Sequence, residues 1–132
     1  DLVLAGIFLH DIGKLKEINS ELEADYTDEG NLIGHIVLGR DTVREAIQKI
    51  RGFPQDLEEK IEHIILSHQG RYEWQSPKLP AFPEALLVHM IDNLDAKMNL
   101  MKQAIDEDSE PGRFTNRHNF FRIPILKDNE FE

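Results

Sequence analysis

The sequence has no cysteine and no long apolar run, and basic residues are in the minority. Without cysteine there are no disulfides, no thiolate zinc site and no cysteine nucleophile. The lack also fits a cytoplasmic location. No apolar stretch approaches the ~18 residues that span a bilayer, and no signal peptide is visible, so no membrane is expected among the partners. Lys and Arg number 15 against 25 Asp and Glu, a formal net charge of −10. That balance argues against gripping nucleic acid through a general electrostatic surface. It leaves room for a protein that holds phosphates through metal ions. Internal repeats, low-complexity tracts and a recognisable nucleophilic triad are missing too.

What is there is a globular composition. The 132 residues are 40% hydrophobic and 30% charged, enough for one domain with a core but not for two. The chain opens on Asp1 in the middle of a helical pattern, which reads as a fragment of a longer protein. Residues 2–10, "LVLAGIFLH", are apolar almost all round. They suit a buried helix closed by Gly13, although so short a run also fits a strand. The polar stretch 16–30, with Asn19, Ser20 and Gly30, reads as a loop. From about Leu32 to Arg51, apolar residues at Leu32, Ile36, Val43, Ile47 and Ile50 have helical spacing, ended by "RGFP". Pro54 suits a first helical turn, and Leu57, Ile61, Ile64 and Ile65 form the inner face of a helix running to about His68. "QGRYEWQSPKLPAFP" is a loop. The longest helix is expected over roughly 84–107, with Leu87, Met90, Ile91, Leu94, Met98 and Met101 on its apolar side. After Pro111-Gly112 the tail mixes aromatic and basic residues up to Asp128. The expected class is all-α, with four to five helices.

Chemistry concentrates in "FLHDIGKLKE" and in a few later positions. His10-Asp11 ends the first helix, His35 sits between apolar neighbours, His68 ends the third helix, and Asp92 follows Ile91. A buried carboxylate is costly unless it is paired or holds a metal. Imidazoles and carboxylates together suit divalent Mn, Fe, Zn, Ni or Co, and helices meeting at their polar points can gather such ligands. Singly, each residue has an ordinary reading: His10 as a cap, His35 as a satisfied core histidine, Asp92 paired with Lys97, Lys14 as a cation near a helix C-terminus. The metal-site expectation rests on the coincidence of all five.

In order along residues 1–101, "LAGIFLHDIGK", "EGNLIGHI", "HIILSHQG", "SPKLP" and "LLVHMIDNLDAKM" resemble the HD-domain phosphohydrolase superfamily. Within it the resemblance is nearest to the HD domain of YhaM-type 3′–5′ exoribonucleases. It implies an HD-domain helical bundle, N-terminally truncated, over residues 1–110, with 111–132 as an extension of the same domain. It also implies an upstream OB-fold domain in the full-length protein, and metal-dependent release of nucleoside 5′-monophosphates from single-stranded RNA or DNA. Position by position, the metal ligands fall on His10, Asp11, His35, His68 and Asp92, and the lysine after the doublet on Lys14. The superfamily's first metal histidine lies upstream of this chain, so weak or single-site metal binding is expected here. Relatives often carry a second His where Gln69 stands. His63 and His89 are expected to be structural or to support the ligands from behind, with His89 placed to orient Asp92.

The mechanism the resemblance implies uses two divalent ions, Mn foremost, with Asp11 bridging them. His10 and Asp92 would hold one ion, and His35 and His68 the other. Lys14 would act with Asp11 in catalysis as a donor to a phosphate oxygen. In "GRYEWQSPK", Tyr72 and Trp74 are candidates to stack on a base, and Arg71 and Lys78 to meet a phosphate. The tail, with Arg113, Arg117, Arg122, Lys127, Phe114, Phe120 and Phe121, reads either as a strand-binding surface or, slightly favoured, as rings that finish the core. Two alternatives stand beside the exonuclease. One is an HD hydrolase of a free nucleotide or a cyclic dinucleotide, although the Gly-Tyr-Pro signature of the HD-GYP type is missing after His68. The other is a degenerate HD module with a regulatory role. A homo-oligomer is left open.

Overall fold

The computed structural model describes residues 1–19 and 25–127. Ser20, part of the expected 16–30 loop, lies outside the described residues, as do 128–132 of the tail. The chain forms two compact units, Asp1–Asp92 and Asn93–Glu132.

The first unit is built from helices α1 (Leu2–Leu9), α2 (Lys14–Glu17), α3 (Asp28–Leu32), α4 (His35–Ile47), α5 (Gln55–Ser67) and the start of α6 (Pro83–Asp106). A short antiparallel pair, β1 (Ile18–Asn19) with β2 (Asp25–Tyr26), lies between α2 and α3. The all-α expectation therefore stands, with one minor hairpin. No helix among the described residues is long and apolar enough to cross a membrane.

Two apolar clusters hold this unit. Val43, Ile47, Ile61 and Ile65 join α4 to α5, with Leu2, Leu9, Ile12, Phe53 and Leu57 packed around them. Ile64, Ala85 and Val88 join α5 to α6, with Leu2, Val3, Ile7 and Phe82 at their edge. Leu2 belongs to both sets, so α1 is seated against both. Its Gly6 permits the close approach, because a Cβ there would lie 2.8 Å from Val88 Cγ2 and 2.9 Å from Ile64 Cγ2. Arg44 clamps α4 to α5 through a two-pronged pair with Glu62, at 2.6 and 3.0 Å, geometry that favours a guanidinium.

Several local expectations need correction. Helix α4 begins at His35, not near Leu32, because Gly34 takes φ +79, a conformation that glycine tolerates and other residues resist. Leu32 is left 85% exposed. Helix α1 closes at His10, its C-cap, before Gly13, which caps the start of α2. The buried residues of α6 are Ala85, Val88 and His89, whereas Leu87, Met90 and Ile91 of its expected apolar side are exposed. The loop expected over 16–30 contains the end of α2, both strands and the start of α3 among its described residues.

In the second unit, Asp108 organises the segment after α6. Its Oδ1 accepts from the Asn116 backbone N–H and side-chain amide, both at 2.9 Å, and its Oδ2 accepts from Lys127 Nζ at 2.9 Å. Thr115 and Ile125 are buried here, while Phe114 and Phe120 are exposed. The rings at 114 and 120 therefore do not finish a core as expected.

Candidate metal centre

The doublet sits where α1 runs out of helix. His10 N–H still bonds Gly6 O at 2.9 Å, and then tight turns take over, with Ile12 N–H on Leu9 O at 3.1 Å and Lys14 N–H on Asp11 O at 2.9 Å. The chain reverses into α2, and Gly13 lies directly against α4. A Cβ on Gly13 would fall 1.9 Å from His35 O and 2.6 Å from Gly39 N. Gly39 is less crowded but still close, with 3.1 Å from its own Cβ position to Gly13 N. These two glycines bring the Asp11 turn and the first residue of α4 into backbone contact. His68, the C-cap of α5, and Asp92 on α6 supply the other sides.

All five expected ligands meet. Asp11 points its two oxygens in different directions. Oδ1 lies 3.5 Å from His35 Nε2 and 3.8 Å from His68 Nε2, and Oδ2 lies 3.4 Å from His10 Nε2. His10 Nε2 is also 3.5 Å from Asp92 Oδ1. The result is two donor sets that share Asp11: Asp11, His35 and His68, and His10, Asp11 and Asp92.

The ring orientations are fixed from behind. His10 Nδ1 donates to Ile7 O at 2.9 Å, and His68 Nδ1 donates to Ile65 O at 2.7 Å. His35 Nδ1 donates to Glu17 Oε1 at 3.1 Å. Each bond commits Nδ1 to the proton and turns Nε2 inward, the arrangement that metal-bound histidines adopt.

The site fits divalent cations on its own geometry. Asp11 Oδ1 and His35 Nε2 are buried and have no hydrogen-bond partner, an expense that native interiors rarely carry without an ion or water. The donor pairs stand 3.4–3.8 Å apart. That is too long for good hydrogen bonds but close to the ~3–3.5 Å between neighbouring ligands each about 2.1 Å from a shared ion. Mixed imidazole and carboxylate donors suit Mn, Fe, Co, Ni or Zn.

The charges respond to this crowding. Burial works against a charged His10, but the Asp11 and Asp92 carboxylates outweigh it and hold the ring well above its ordinary pKa. Burial likewise opposes ionised Asp11, yet His10 and Lys14 win and keep it below the usual carboxylate range. His10 lowers Asp92 in the same sense. Burial pushes the His68 imidazole below its ordinary pKa, a shift that favours the uncharged ring.

Lys14 bonds Asp11 Oδ2 at 2.6 Å, with its side chain 48% exposed. Behind it opens a cleft of about 820 Å³ lined by Lys14, Glu17, His35, Tyr26, Gln69 and Trp74, among others. Of the residues expected to meet substrate, Trp74 lines this cleft. Arg71 packs over the Trp74 ring at 4.8 Å. Tyr72 and Lys78 are exposed outside the cleft lining. Gln69 Nε2 lies 3.2 Å from His68 Nε2, so this residue touches a candidate ligand although it does not replace the second histidine.

The two flanking histidines have other partners. His63 Nε2 accepts from Ala81 N–H at 3.0 Å, and its ring packs on Phe82. It pins the 69–82 loop instead of backing a ligand. His89 donates from Nδ1 to His68 O at 2.7 Å, so it steadies the backbone of a ligand, not the Asp92 carboxylate. Two residues at the site escaped the sequence reading. Glu17 was assigned to a polar loop, and Gly39 carried no signal. Their only trace was spacing: Glu17 lies one helical turn beyond Lys14, and Gly39 one turn beyond His35.

A bundle that gathers a His-Asp doublet with distant His and Asp residues defines the class, and the family comparison agrees. The HD domain family matches residues 1–97, and the chain belongs to that family. Among curated proteins it is 46% identical over 119 residues to the 3′–5′ exoribonuclease YhaM of Bacillus subtilis (strain 168). It is 45% identical over 117 residues to the protein of the same name from Bacillus pumilus (strain SAFR-032). Each alignment takes in 89% of this chain and 37% of the relative, so the chain spans little over a third of these proteins' length. No solved structure gives a significant match.

Proposed function

We propose that the chain is the hydrolytic domain of a metal-dependent 3′–5′ exonuclease that releases nucleoside 5′-monophosphates from single-stranded RNA or DNA. The observation that carries the reading is Asp11, with one oxygen turned to His35 and His68 and the other to His10. A single carboxylate shared by two donor sets suits a two-ion centre. Bound divalent cations would supply Lewis acidity to the phosphate oxygens and to a water nucleophile. His10 and Asp92 would hold one ion and His35 and His68 the other, with Asp11 common to both.

The chain's own residues supply the remaining functions. Lys14 lines the cleft, its side chain half-exposed, and its ammonium can turn from Asp11 to a non-bridging phosphate oxygen. Tyr26 and Trp74 give the cleft aromatic surface, which suits bases without reading their sequence. The chain's overall charge of −10 places the electrostatic attraction for phosphate at the centre itself, and an upstream OB-fold domain would add a grip on the strand.

The test is incubation with Mn²⁺ and 5′-labelled single-stranded RNA, with free nucleotides and a cyclic dinucleotide in parallel. Stepwise mononucleotide release from the strand, abolished by Asp11→Asn, is the expected result. Hydrolysis of the small nucleotides alone would assign a different HD phosphohydrolase. Absence of both Mn²⁺ uptake and hydrolysis would assign a non-catalytic module.

A further inference from the structure

The three imidazoles of the centre are held by unlike partners. His10 and His68 donate Nδ1–H to neutral backbone carbonyls of their own helices. His35 donates to a carboxylate, and the same Glu17 Oε1 accepts the His35 backbone N–H at 2.9 Å. Glu17 is only 7% exposed. The surroundings are shaped to seat it: a Cβ on Gly30 would fall 2.4 Å from Glu17 O and 3.0 Å from Glu17 Cγ. The Thr27 N–H also bonds Glu17 O at 2.9 Å. A buried carboxylate held on both its backbone and its side chain is an expensive way to supply one helix cap.

We propose that Glu17 is the positioning residue for His35. It fixes the Nδ1–H tautomer and aims Nε2 at Asp11 Oδ1. Its negative charge makes this imidazole a stronger donor than the two held by carbonyls. The Asp11–His35–His68 set is therefore the tighter of the two metal positions. The inference about affinity rests on the metal-centre reading; the inference about the tautomer does not.

Capping needs only an acceptor oxygen, which glutamine provides. The charge is what capping leaves unused, and that separates the two roles. In the ion-free protein, long-range ¹H–¹⁵N spectra of the imidazoles should show His35 as the Nδ1–H tautomer, and Glu17→Ala should shift it to the Nε2–H form while His68 stays unchanged. In Mn²⁺ titrations followed by electron paramagnetic resonance, Glu17→Ala should weaken the tighter position ~10–100-fold. Glu17→Gln should weaken it roughly tenfold while melting within a few degrees of the parent. Glu17→Gln with unchanged Mn²⁺ affinity, or Glu17→Ala with His35 still in the Nδ1–H form, overturns the proposal. If Glu17→Ala does not fold, the Glu17→Gln titration decides alone. If the parent takes up no Mn²⁺, the metal reading falls, and the tautomer comparison still decides whether Glu17 orients His35.

Discussion

Replacing Gly13 by alanine tests whether backbone contact builds the centre. Gly13 has φ −65, so alanine meets no conformational objection there. The objection is space. The added Cβ would stand 1.9 Å from His35 O, 2.6 Å from Gly39 N and 2.8 Å from His35 C, all backbone atoms that no rotamer change can move. Opening the shortest approach to an ordinary contact of about 3.5 Å means parting the two segments by roughly 1.5 Å. Overpacking of this kind costs about 1–3 kcal/mol, a fall in Tm of roughly 5–15 °C for a domain of this size. The same displacement acts between Asp11, two residues before the clash, and His35, whose carbonyl is struck. Ligand positions tolerate only about 0.2 Å, so Gly13→Ala should lose Mn²⁺ affinity by more than its stability loss explains. Gly52→Ala is the control. Gly52 has φ +77 and nothing within 4 Å, so it should cost about 1–2 kcal/mol from strain and leave metal binding untouched. A Gly13→Ala protein that melts and binds Mn²⁺ like its parent would refute the account of how Asp11 and His35 are brought together.

Two further outcomes follow from the charges. Because Asp11 and Asp92 hold ion-free His10 above its ordinary pKa, its ring is protonated at pH 7, and a cation entering that donor set must displace the proton. Metal uptake should therefore release a proton and strengthen as pH rises through the neutral range. Calorimetry in two buffers of different ionisation enthalpy checks this, and buffer-independent heats would refute it. In the second unit, Lys127 holds the Asp108 carboxyl below its usual range, aided by the Asn116 N–H. A depressed folded pKa gives stabilisation that is complete above the unfolded value of about 3.9 and is lost as pH falls through the folded one. The Thr115 and Asn116 amide signals should begin to lose dispersion below about pH 4, and Asp108→Asn should remove that acid dependence while weakening the segment at neutral pH.

The legible part of this molecule was the part written in periodicity and in residue type. Ile61, Ile64 and Ile65 fall on one face at helical spacing and are buried. The five candidate ligands are recognisable because His and Asp are uncommon in apolar runs and because their order resembles a known pattern. Residues 16–30 were read as a loop because polar residues without periodicity carry no signal for four-residue helices and two-residue strands. Those elements are fixed by bonds between residues distant in sequence, such as Thr27 N–H to Glu17 O and His35 N–H to Glu17 Oε1. The exposed side of α6 misled for a related reason. Apolar spacing there marks a stripe, and burial in the first unit follows Ala85 and Val88, whose small size admits α1 and α5.

The glycines show why the site was harder to read than its ligands. A ligand announces itself by its side chain, whereas Gly13, before α2, and Gly39, inside α4, act by having none, and nothing in the sequence separates them from other glycines. Their effect reaches the chemistry through distance. The 3.5 Å between Asp11 Oδ1 and His35 Nε2 exists because two backbones touch where a methyl group would part them. Glu17 then fixes the orientation of a ring whose position the glycines have set. The doublet supplies the donors, the glycines their separation, and the buried carboxylate the direction of one lone pair. A chain with all five candidate ligands intact but with larger residues at 13 and 39 would keep the same donor side chains and lose the geometry that brings them together.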